Sequence, residues 1–267
     1  MPIDMRVLDA EARNREWDVN MGVFMDEALG LVANQNPPKV RVFNAPPKVH
    51  LPIGKAIFNG VVVNNVVAKP PQNPKPRIFW GGSDLDPSFY GKERSERCGQ
   101  SSIKNDQKLL EDMADCIKAG IPVIGICRSS QALNVLNGGI LVQHIDNHTR
   151  KHKVTLYTKD KEIVHTCIDV SSTHHQMMVA HKDGIILAKH NEPTTGVHWD
   201  NVNELYQYKY VTEVVYYPKT KSLCVQPHPE WMPQDHFFIK WLNQFMYEEW
   251  GSDPINFQNE ERNRLGV

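Results

Sequence analysis

Short runs of apolar residues alternate along this chain with longer stretches in which apolar residues recur every three or four positions. Short apolar runs are typical of the strands of a buried sheet, and the longer period is typical of amphipathic helices. The pattern predicts helices at residues 106–119 and 234–246, and a less regular one with internal glycines at 20–33. Strands that alternate with helices predict an α/β fold with a mostly parallel central sheet. The predicted strands are residues 5–8, 40–43, 77–80, 122–127, 154–157, 185–189, 213–217 and 223–226.

The chain of 267 residues is long enough for one large α/β domain or two small ones. We predict a single domain over residues 1–267 with two additions. Residues 45–76 are rich in proline and contain an apolar stretch at 60–68 that predicts a β-hairpin insertion. The polar segment 251–267 predicts a loosely held tail.

The composition narrows the range of partners. Hydrophobic residues make up 40% of the chain, charged residues 23%, and the net charge is −1. This balance predicts no general attraction to nucleic acid or to an anionic membrane, so a small-molecule substrate or a protein partner is expected. No stretch approaches the roughly 20 apolar residues that span a bilayer. Residues 1–20 lack the apolar core of a secretory signal, and we therefore predict a cytoplasmic protein.

The number of cysteines is also consistent with a cytoplasmic protein. Five is an odd number in a chain too long to need disulfide bonds, which predicts reduced thiols. We expect four of the cysteines to be small buried side chains. The fifth, Cys127, has a different sequence context.

Cys127 ends an apolar strand, and a helical pattern begins almost at once after it. A strand that passes into a helix through one residue predicts a nucleophile elbow, which lifts the side chain above the carboxyl edge of the sheet. The helix N-terminus then points at the sulfur and favours the thiolate. The backbone N–H of Arg128 would lie beside a reacting carbonyl group. From position alone, a buried structural cysteine is the alternative.

Two other predicted strand ends carry candidate chemistry. His228 and Glu230 stand two positions apart after the last strand, so in an extended segment they project to the same side. A histidine oriented by a carboxylate is the base half of a catalytic triad, although a surface turn fits the same residues. Gly81 and Gly82 follow another strand and could bring a backbone N–H close to a ligand, or form only a tight turn.

Four stretches, in this order, resemble the class I glutamine amidotransferase family. The resemblance is closest to its γ-glutamyl hydrolase and γ-glutamyl-aminobutyrate hydrolase branch, peptidase C26. It covers about residues 77–246 and implies a three-layer, flavodoxin-like α/β fold with helices on both faces of the sheet. The matching stretches are Gly-Gly-Ser-Asp-Leu-Asp-Pro-Ser-Phe-Tyr-Gly at 81–91, Gly-Ile-Cys-Arg at 125–128 with Gln131, Ser-Thr-His-His-Gln at 172–176 and Val-Gln-Pro-His-Pro-Glu-Trp at 225–231.

The resemblance implies an amidohydrolase that uses no cofactor. Cys127 would be the nucleophile, His228 the base and Glu230 the group that orients the base. The thiolate would attack a γ-glutamyl carbonyl, release ammonia or an amine, and leave a glutamyl thioester for hydrolysis. Six further residues would form the oxyanion hole and the substrate pocket: Gly81, Gly82, Arg128, Gln131, His175 and Gln176.

Some of these residues have implied roles, and some positions depart from the family pattern. Gly82 and Arg128 would supply the oxyanion N–H groups, and Gln131 would hold the amino-acid end of the substrate.

Ser129 stands where the family usually has glycine, and the small pair Ser129-Ser130 is expected to leave room beside the nucleophile. The aromatic segment 191–210, with Trp199, is expected to pack over an organic amine. These departures favour a γ-glutamyl amine over glutamine as the substrate.

Three alternatives stay open. His144, His148 and His152 have the i, i+4, i+8 spacing of a metal site on a helix, but the polar residues around them predict a solvated loop and no metal. A non-catalytic binding protein could share the fold. A glutaminase that supplies ammonia to a separate synthetase would need a partner protein, for which residues 45–76 could be the docking surface. Each of these alternatives is compatible with a homo-oligomer of the chain.

Overall fold

The computed structural model describes residues 75–198 and 204–266. The elements predicted at 5–8, 20–33 and 40–43, the hairpin at 60–68 and Trp199 lie outside these ranges. The strands within them are β1 (Arg77–Phe79), β2 (Val123–Ile126), β3 (Ile140–Val142), β4 (His144–Ile145), β5 (His152–Tyr157), β6 (Ile163–Val170), β7 (Met177–Val179), β8 (Ile185–His190), β9 (Thr194–Val197), β10 (Leu205–Tyr208), β11 (Val211–Tyr217) and β12 (Ser222–Val225). The α-helices are α1 (Ile103–Lys118), α2 (Arg128–Leu136), α3 (Phe237–Trp250) and α4 (Phe257–Leu265).

Every element that the pattern predicts within the described ranges is present. The six predicted strands correspond to β1, β2, β5, β8, β11 and β12, and the two regular helices correspond to α1 and α3. The helical pattern after Cys127 corresponds to α2. The α/β class is therefore confirmed.

Seven strands form one sheet in the order β1-β2-β12-β11-β8-β5-β6. Parallel pairing joins β1 to β2 and β2 to β12. The strands from β12 through β11, β8 and β5 to β6 are joined by antiparallel pairs. Of the six strand pairs in this sheet, two are parallel and four are antiparallel, so the parallel character predicted for most of the sheet is concentrated in three neighbouring strands. Because parallel strands end at the same edge, the residues that follow β1, β2 and β12 are brought together there.

Helices cover both faces of this sheet. Successive residues of a strand point to opposite faces. In β12, Cys224 packs into the cluster that contains α1 and α2, whereas Leu223 and Val225 pack into the cluster that contains α3 and α4. The arrangement is three-layered, as the resemblance implied.

The segment predicted as a loose tail contains α4 and is packed against the core. Phe257, the first residue of α4, is 1% exposed and lies in the cluster with α3. The side chain of Asn256 accepts the N–H of Asn259 and caps the helix. The prediction of a loose tail was wrong because one buried aromatic residue anchors an otherwise polar helix. No helix in the described part of the chain is both long and apolar enough to cross a membrane.

Gly125 sets the distance between β2 and α2. A Cβ atom at this position would overlap the carbonyl oxygen of Ser129 and lie 2.8 Å from the backbone nitrogen of Ser130. Only a glycine lets the first turn of α2 lie directly over the end of β2. The elbow therefore depends on the residue two positions before the cysteine.

We predict that Gly125→Ala lowers the free energy of unfolding by about 2 kcal/mol, because the added methyl group meets backbone atoms that cannot move alone. Urea denaturation of the purified variant measures the change. Gly82→Ala is the matched control, since a Cβ there would lie 3.8 Å from Cδ of Arg128, an ordinary contact. Equal stability of the two variants would contradict this account of the elbow.

Candidate active site

Cys127 occupies the turn between β2 and α2 with a φ of 52° and a ψ of −116°. Its N–H donates to the carbonyl of Val225 at 2.9 Å, and its own carbonyl accepts the N–H groups of Ser130 at 2.9 Å and Gln131 at 3.2 Å. A positive φ is uncommon in residues with a side chain, and surrounding structure must hold it. The predicted nucleophile elbow is thus present and fixed on both sides.

The two serines after the cysteine reinforce the elbow. Ser129 donates its hydroxyl to the carbonyl of Trp80, and Ser130 donates to the carbonyl of Cys127 at 2.6 Å. Both side chains are wholly buried. We expected this pair to leave room beside the nucleophile; both hydroxyls are committed to backbone carbonyls inside the fold, and the expected space stays a prediction.

His228 and Glu230 meet directly after β12. Nδ1 of His228 lies 2.7 Å from Oε1 of Glu230, and both side chains are buried. A carboxylate accepts the Nδ1 proton, which leaves Nε2 for other partners. A Cβ at Gly81 would lie 3.1 Å from Cε1 of His228 and 3.3 Å from Cβ of Cys127. The glycine turn, the cysteine and the histidine therefore lie side by side, and a side chain at position 81 would force its neighbours to shift.

The charge of His228 is set by these neighbours. Burial disfavours the imidazolium, but hydrogen bonds to Cys127 and to Glu230, together with their negative charges, outweigh burial and raise the pKa of His228 to about 9. The imidazolium is therefore the expected form at neutral pH. It can hold a proton between the sulfur and a leaving group.

Two residues that the sequence analysis did not name also contact His228. Oγ1 of Thr173 lies 3.1 Å from Nε2 of His228. The indole of Trp231 stacks on the imidazole, with ring centroids 3.9 Å apart and planes 5° apart, while 56% of Trp231 is exposed. Both residues stand inside the matched motifs, so a closer look at the neighbours of His175 and Glu230 in the sequence could have found them.

Arg128 and Gly82 lie next to each other, since a Cβ at position 82 would be 3.8 Å from Cδ of Arg128. Arg128 is the first residue of α2, where backbone N–H groups have no partner within the helix. Its guanidinium forms an ion pair with the buried carboxylate of Asp106 in α1. Asp106 also accepts the N–H of Asp86 at 3.0 Å. This ion pair fixes the start of α2 against α1, and the sequence analysis did not anticipate it.

Gln131 and Gln176 are buried and engaged with protein groups. Nε2 of Gln131 lies 3.3 Å from Oε1 of Gln226, and Nε2 of Gln176 lies 3.3 Å from the carbonyl of Gln143. The structure does not place either amide at an open surface beside the sulfur. Their predicted substrate contacts stay predictions.

His175 is held by an aspartate and by a second histidine. Its Nε2 is 3.0 Å from the carboxylate of Asp84, and its Nδ1 is 3.2 Å from Nδ1 of His144. Asp84 also accepts the N–H of Gly99 at 2.7 Å. His175 is partly exposed, so its predicted place in a pocket wall stays a prediction.

The three histidines with helical spacing do not lie on a helix. His144 is in β4, His152 begins β5, and His148 lies in the connection between them. His148 is 1% exposed, so the prediction of a solvated loop is wrong. Its Nδ1 bonds to the carbonyl of Asp146 at 2.8 Å, and its own carbonyl accepts the hydroxyl of Ser172. These bonds direct the connection between β4 and β5 toward the protein interior.

The five cysteines are unpaired. Cys224 is buried, Cys98 and Cys116 are half-buried, and Cys167 in β6 is exposed. The prediction of four buried thiols therefore holds for Cys224 and is wrong for Cys167.

The structure defines an α/β protein with a cysteine elbow beside a histidine–carboxylate pair. The sequence model of the Peptidase C26 family matches residues 76–230, more than half of the chain. The chain therefore belongs to the peptidase C26 family.

Curated relatives align with parts of the chain. "Putative glutamine amidotransferase Rv2859c" of Mycobacterium tuberculosis is 30% identical over 125 residues, which are 42% of this chain and 41% of that protein. "Putative glutamine amidotransferase-like protein YvdE" of Lactococcus lactis is 27% identical over 140 residues, 43% of this chain and 59% of that protein. The chain thus spans less than two thirds of the length of either relative.

Solved structures give a weaker likeness. A glutamine amidotransferase from Thermotoga maritima covers 63% of this chain and 70% of its own, with 17% identity and a TM-score of 0.36. PurLQS from the same organism covers 59% of this chain and 88% of its own, with 14% identity and a TM-score of 0.34. TM-scores of this size support no further statement about this chain.

We predict that His228 titrates near pH 9 in the folded protein, above its ordinary value of 6.5. Because the folded pKa is the higher one, the stability contributed by this group is complete below about pH 6.5 and is lost as the pH rises through about 9. NMR titration of the His228 ring measures the pKa. Cys127→Ala and Glu230→Gln each remove a stabilising partner and should lower it. A value near 6.5 in the unsubstituted protein would contradict this electrostatic account.

Proposed function

We propose that this protein hydrolyses a γ-glutamyl amide bond through a glutamyl thioester on Cys127. The observation that supports this most is the contact of three strand ends: the elbow cysteine, the His228–Glu230 pair and the Gly81 turn. Membership of the peptidase C26 family agrees with an amidohydrolase of this kind. The roles of individual residues below are part of the proposal.

In the first half of the reaction, Sγ of Cys127 attacks the γ-carbonyl carbon of the substrate. The carbonyl oxygen becomes an oxyanion, and the Nε2 proton of His228 passes to the leaving nitrogen. The C–N bond then breaks, ammonia or an amine departs, and the glutamyl group stays on sulfur as a thioester. Glu230 holds Nδ1 and stabilises the imidazolium without taking its proton.

In the second half, neutral His228 accepts a proton from water. The water oxygen attacks the thioester carbonyl, the C–S bond breaks, and glutamate leaves. Cys127 departs as the thiolate and His228 is again an imidazolium. Amide and water are thus converted to glutamate and amine, and the enzyme returns to its starting state.

The oxyanion would be bound by the backbone N–H groups of Arg128 and Gly82. Arg128 stands at the N-terminus of α2, where the helix dipole also favours negative charge. The Arg128–Asp106 ion pair holds this end of the helix in place. Gly81 keeps the space between Cys127 and His228 free of side-chain atoms, because any Cβ there would be in tight contact with both residues.

The proposed site also has an exposed aromatic wall. Trp231 stacks one face on His228 and is more than half exposed, so its outer surface is available to a leaving group. In this proposal Trp231, rather than the pair Ser129 and Ser130, determines which leaving group the site accepts. A stacked indole would favour an organic amine over ammonia.

The printed names of the relatives favour a second candidate. They are called glutamine amidotransferases, which suggests glutamine as the substrate and ammonia as the product. On this alternative the chain would supply ammonia to a separate synthetase. The chemistry at Cys127 is the same, and only the leaving group and the need for a partner differ.

We predict that Cys127→Ala abolishes glutamate release from γ-glutamyl substrates while the protein stays folded. Cys127 is the thiol at the elbow, and without its sulfur no thioester can form. Cys167→Ala is the control, since this exposed cysteine lies in β6 and should be dispensable. A coupled glutamate assay with circular dichroism measures both properties. Full turnover in Cys127→Ala would exclude the proposed mechanism.

We predict a higher kcat/KM for γ-glutamyl-aminobutyrate than for glutamine, because an organic amine can contact Trp231. The ratio of the two values measures discrimination in the transition state. Trp231→Ala should lower the ratio by about tenfold if the indole contributes about 1.4 kcal/mol to the preferred substrate. Glutamine as the better substrate, or activity only with an added synthetase, would favour the amidotransferase alternative.

A further inference from the structure

A second group of titratable side chains lies beside the candidate active site and has no part in the proposed reaction. Four histidines and one glutamate, here called the histidine cluster, converge from separate parts of the fold. Three pairs among these rings have centroids only 4.9 Å apart. The members are His148 between β4 and β5, His152 at the start of β5, His174 before β7, His190 at the end of β8 and Glu213 in β11.

All four imidazoles use the same ring nitrogen, Nδ1, to contact the backbone. Each places Nδ1 at a backbone carbonyl oxygen, which can only accept a hydrogen bond, so Nδ1 carries the proton and Nε2 keeps its lone pair. Metal-binding histidines are usually oriented in this way by a bond from the nitrogen that does not bind the metal. The Nδ1···O distances are 2.8, 3.3, 2.9 and 2.7 Å for His148, His152, His174 and His190.

The inner atoms of the histidine cluster are unsatisfied. Within residues 75–198 and 204–266, Nε2 of His148, His152 and His174 and both carboxylate oxygens of Glu213 are buried without a hydrogen bond. Oε1 of Glu213 is 3.1 Å from Nε2 of His152 and 3.5 Å from Nε2 of His174, near enough for charge attraction but not aligned as hydrogen bonds. Buried polar atoms almost always have partners, so this group suggests a missing cation.

We propose that the histidine cluster is a structural Zn²⁺ site, with Nε2 of His148, His152 and His190 as ligands. One ligand atom from each of these residues lies within 4.8 Å of the others. Tetrahedral Zn²⁺ with Zn–N bonds of about 2.0–2.1 Å needs nitrogens about 3.3 Å apart, so small shifts of the rings are sufficient. Glu213 lies in the second such group, with His152 and His174, so it supplies compensating charge and would become the fourth ligand after a further shift of its side chain.

The chemistry of the ligands selects this class of metal. Imidazole nitrogens with one carboxylate are typical of Zn²⁺ and its neighbours in the transition series, whereas Mg²⁺ and Ca²⁺ prefer oxygen ligands. His148, His174, His190 and Glu213 are all buried, which leaves little access for water. A closed shell of this kind is typical of a structural site, in contrast to a catalytic one.

The site would support the active site through residues 171–174. Ser171 donates its hydroxyl to the carbonyl of His228 at 2.6 Å, and Thr173 contacts Nε2 of the same ring at 3.1 Å. Between them, Ser172 donates to the carbonyl of His148. An ion that fixes His148 therefore also fixes the segment against which His228 rests.

The test uses the full-length protein, stripped with a chelator and then equilibrated with Zn²⁺. We expect about one Zn²⁺ per chain after desalting, by elemental mass spectrometry. The melting temperature should rise with Zn²⁺ concentration, because the ion binds the folded state. Co²⁺ in place of Zn²⁺ should give the intense visible absorption of a tetrahedral site.

His148→Gln and His190→Gln each remove one ligand and should weaken Zn²⁺ binding at least about tenfold. His165→Gln is the control, because His165 is exposed on β6 outside the cluster and should bind Zn²⁺ like the unsubstituted protein. If the ligand variants fail to fold, the Co²⁺ spectrum of the unsubstituted protein still shows whether a tetrahedral metal site is present. No retained metal and no thermal shift, or full Zn²⁺ binding in a variant that combines His148→Gln with His190→Gln, would overturn the proposal. None of these measurements depends on turnover, so they are independent of the proposed hydrolysis.

Discussion

Cys127 holds a φ of 52° between β2 and α2, a conformation that costs free energy in a residue with a side chain. Its N–H bonds to β12 and its carbonyl bonds to the first turn of α2, so sheet and helix together hold it there. Gly125 allows the two elements to approach, and the Ser129 and Ser130 hydroxyls close the turn. The position of the sulfur against His228 follows from this turn, and so does the direction of α2.

The segment 171–176 connects the candidate active site with the rest of the protein. Its neighbouring side chains contact different partners. Thr173 contacts His228, whereas His174 points into the histidine cluster and His175 reaches Asp84. One short stretch therefore links the base of the proposed reaction to two polar groups in separate parts of the fold.

The sequence was most informative where apolar strands end in reactive residues. Cys127, His228 and Gly81 were predicted as site residues from three such ends, and parallel pairing brings them into contact. The sequence was uninformative where burial depends on tertiary contacts. Most side chains of β6 are exposed, so it has no alternating pattern, and α4 has little apolar surface besides Phe257. His148 looks solvated among polar neighbours, and only its bonds to distant backbone groups explain its burial.

The central claim is that a glutamyl group is carried on Cys127. Mass spectrometry of the intact protein, quenched in acid during turnover of γ-glutamyl-p-nitroanilide, tests it most directly, because p-nitroaniline leaves more readily than an alkylamine and so favours accumulation of the thioester. The account predicts a mass increase of one glutamyl group, located by proteolysis on the peptide that contains Cys127. Turnover without any adduct, or an adduct on another residue, would contradict it.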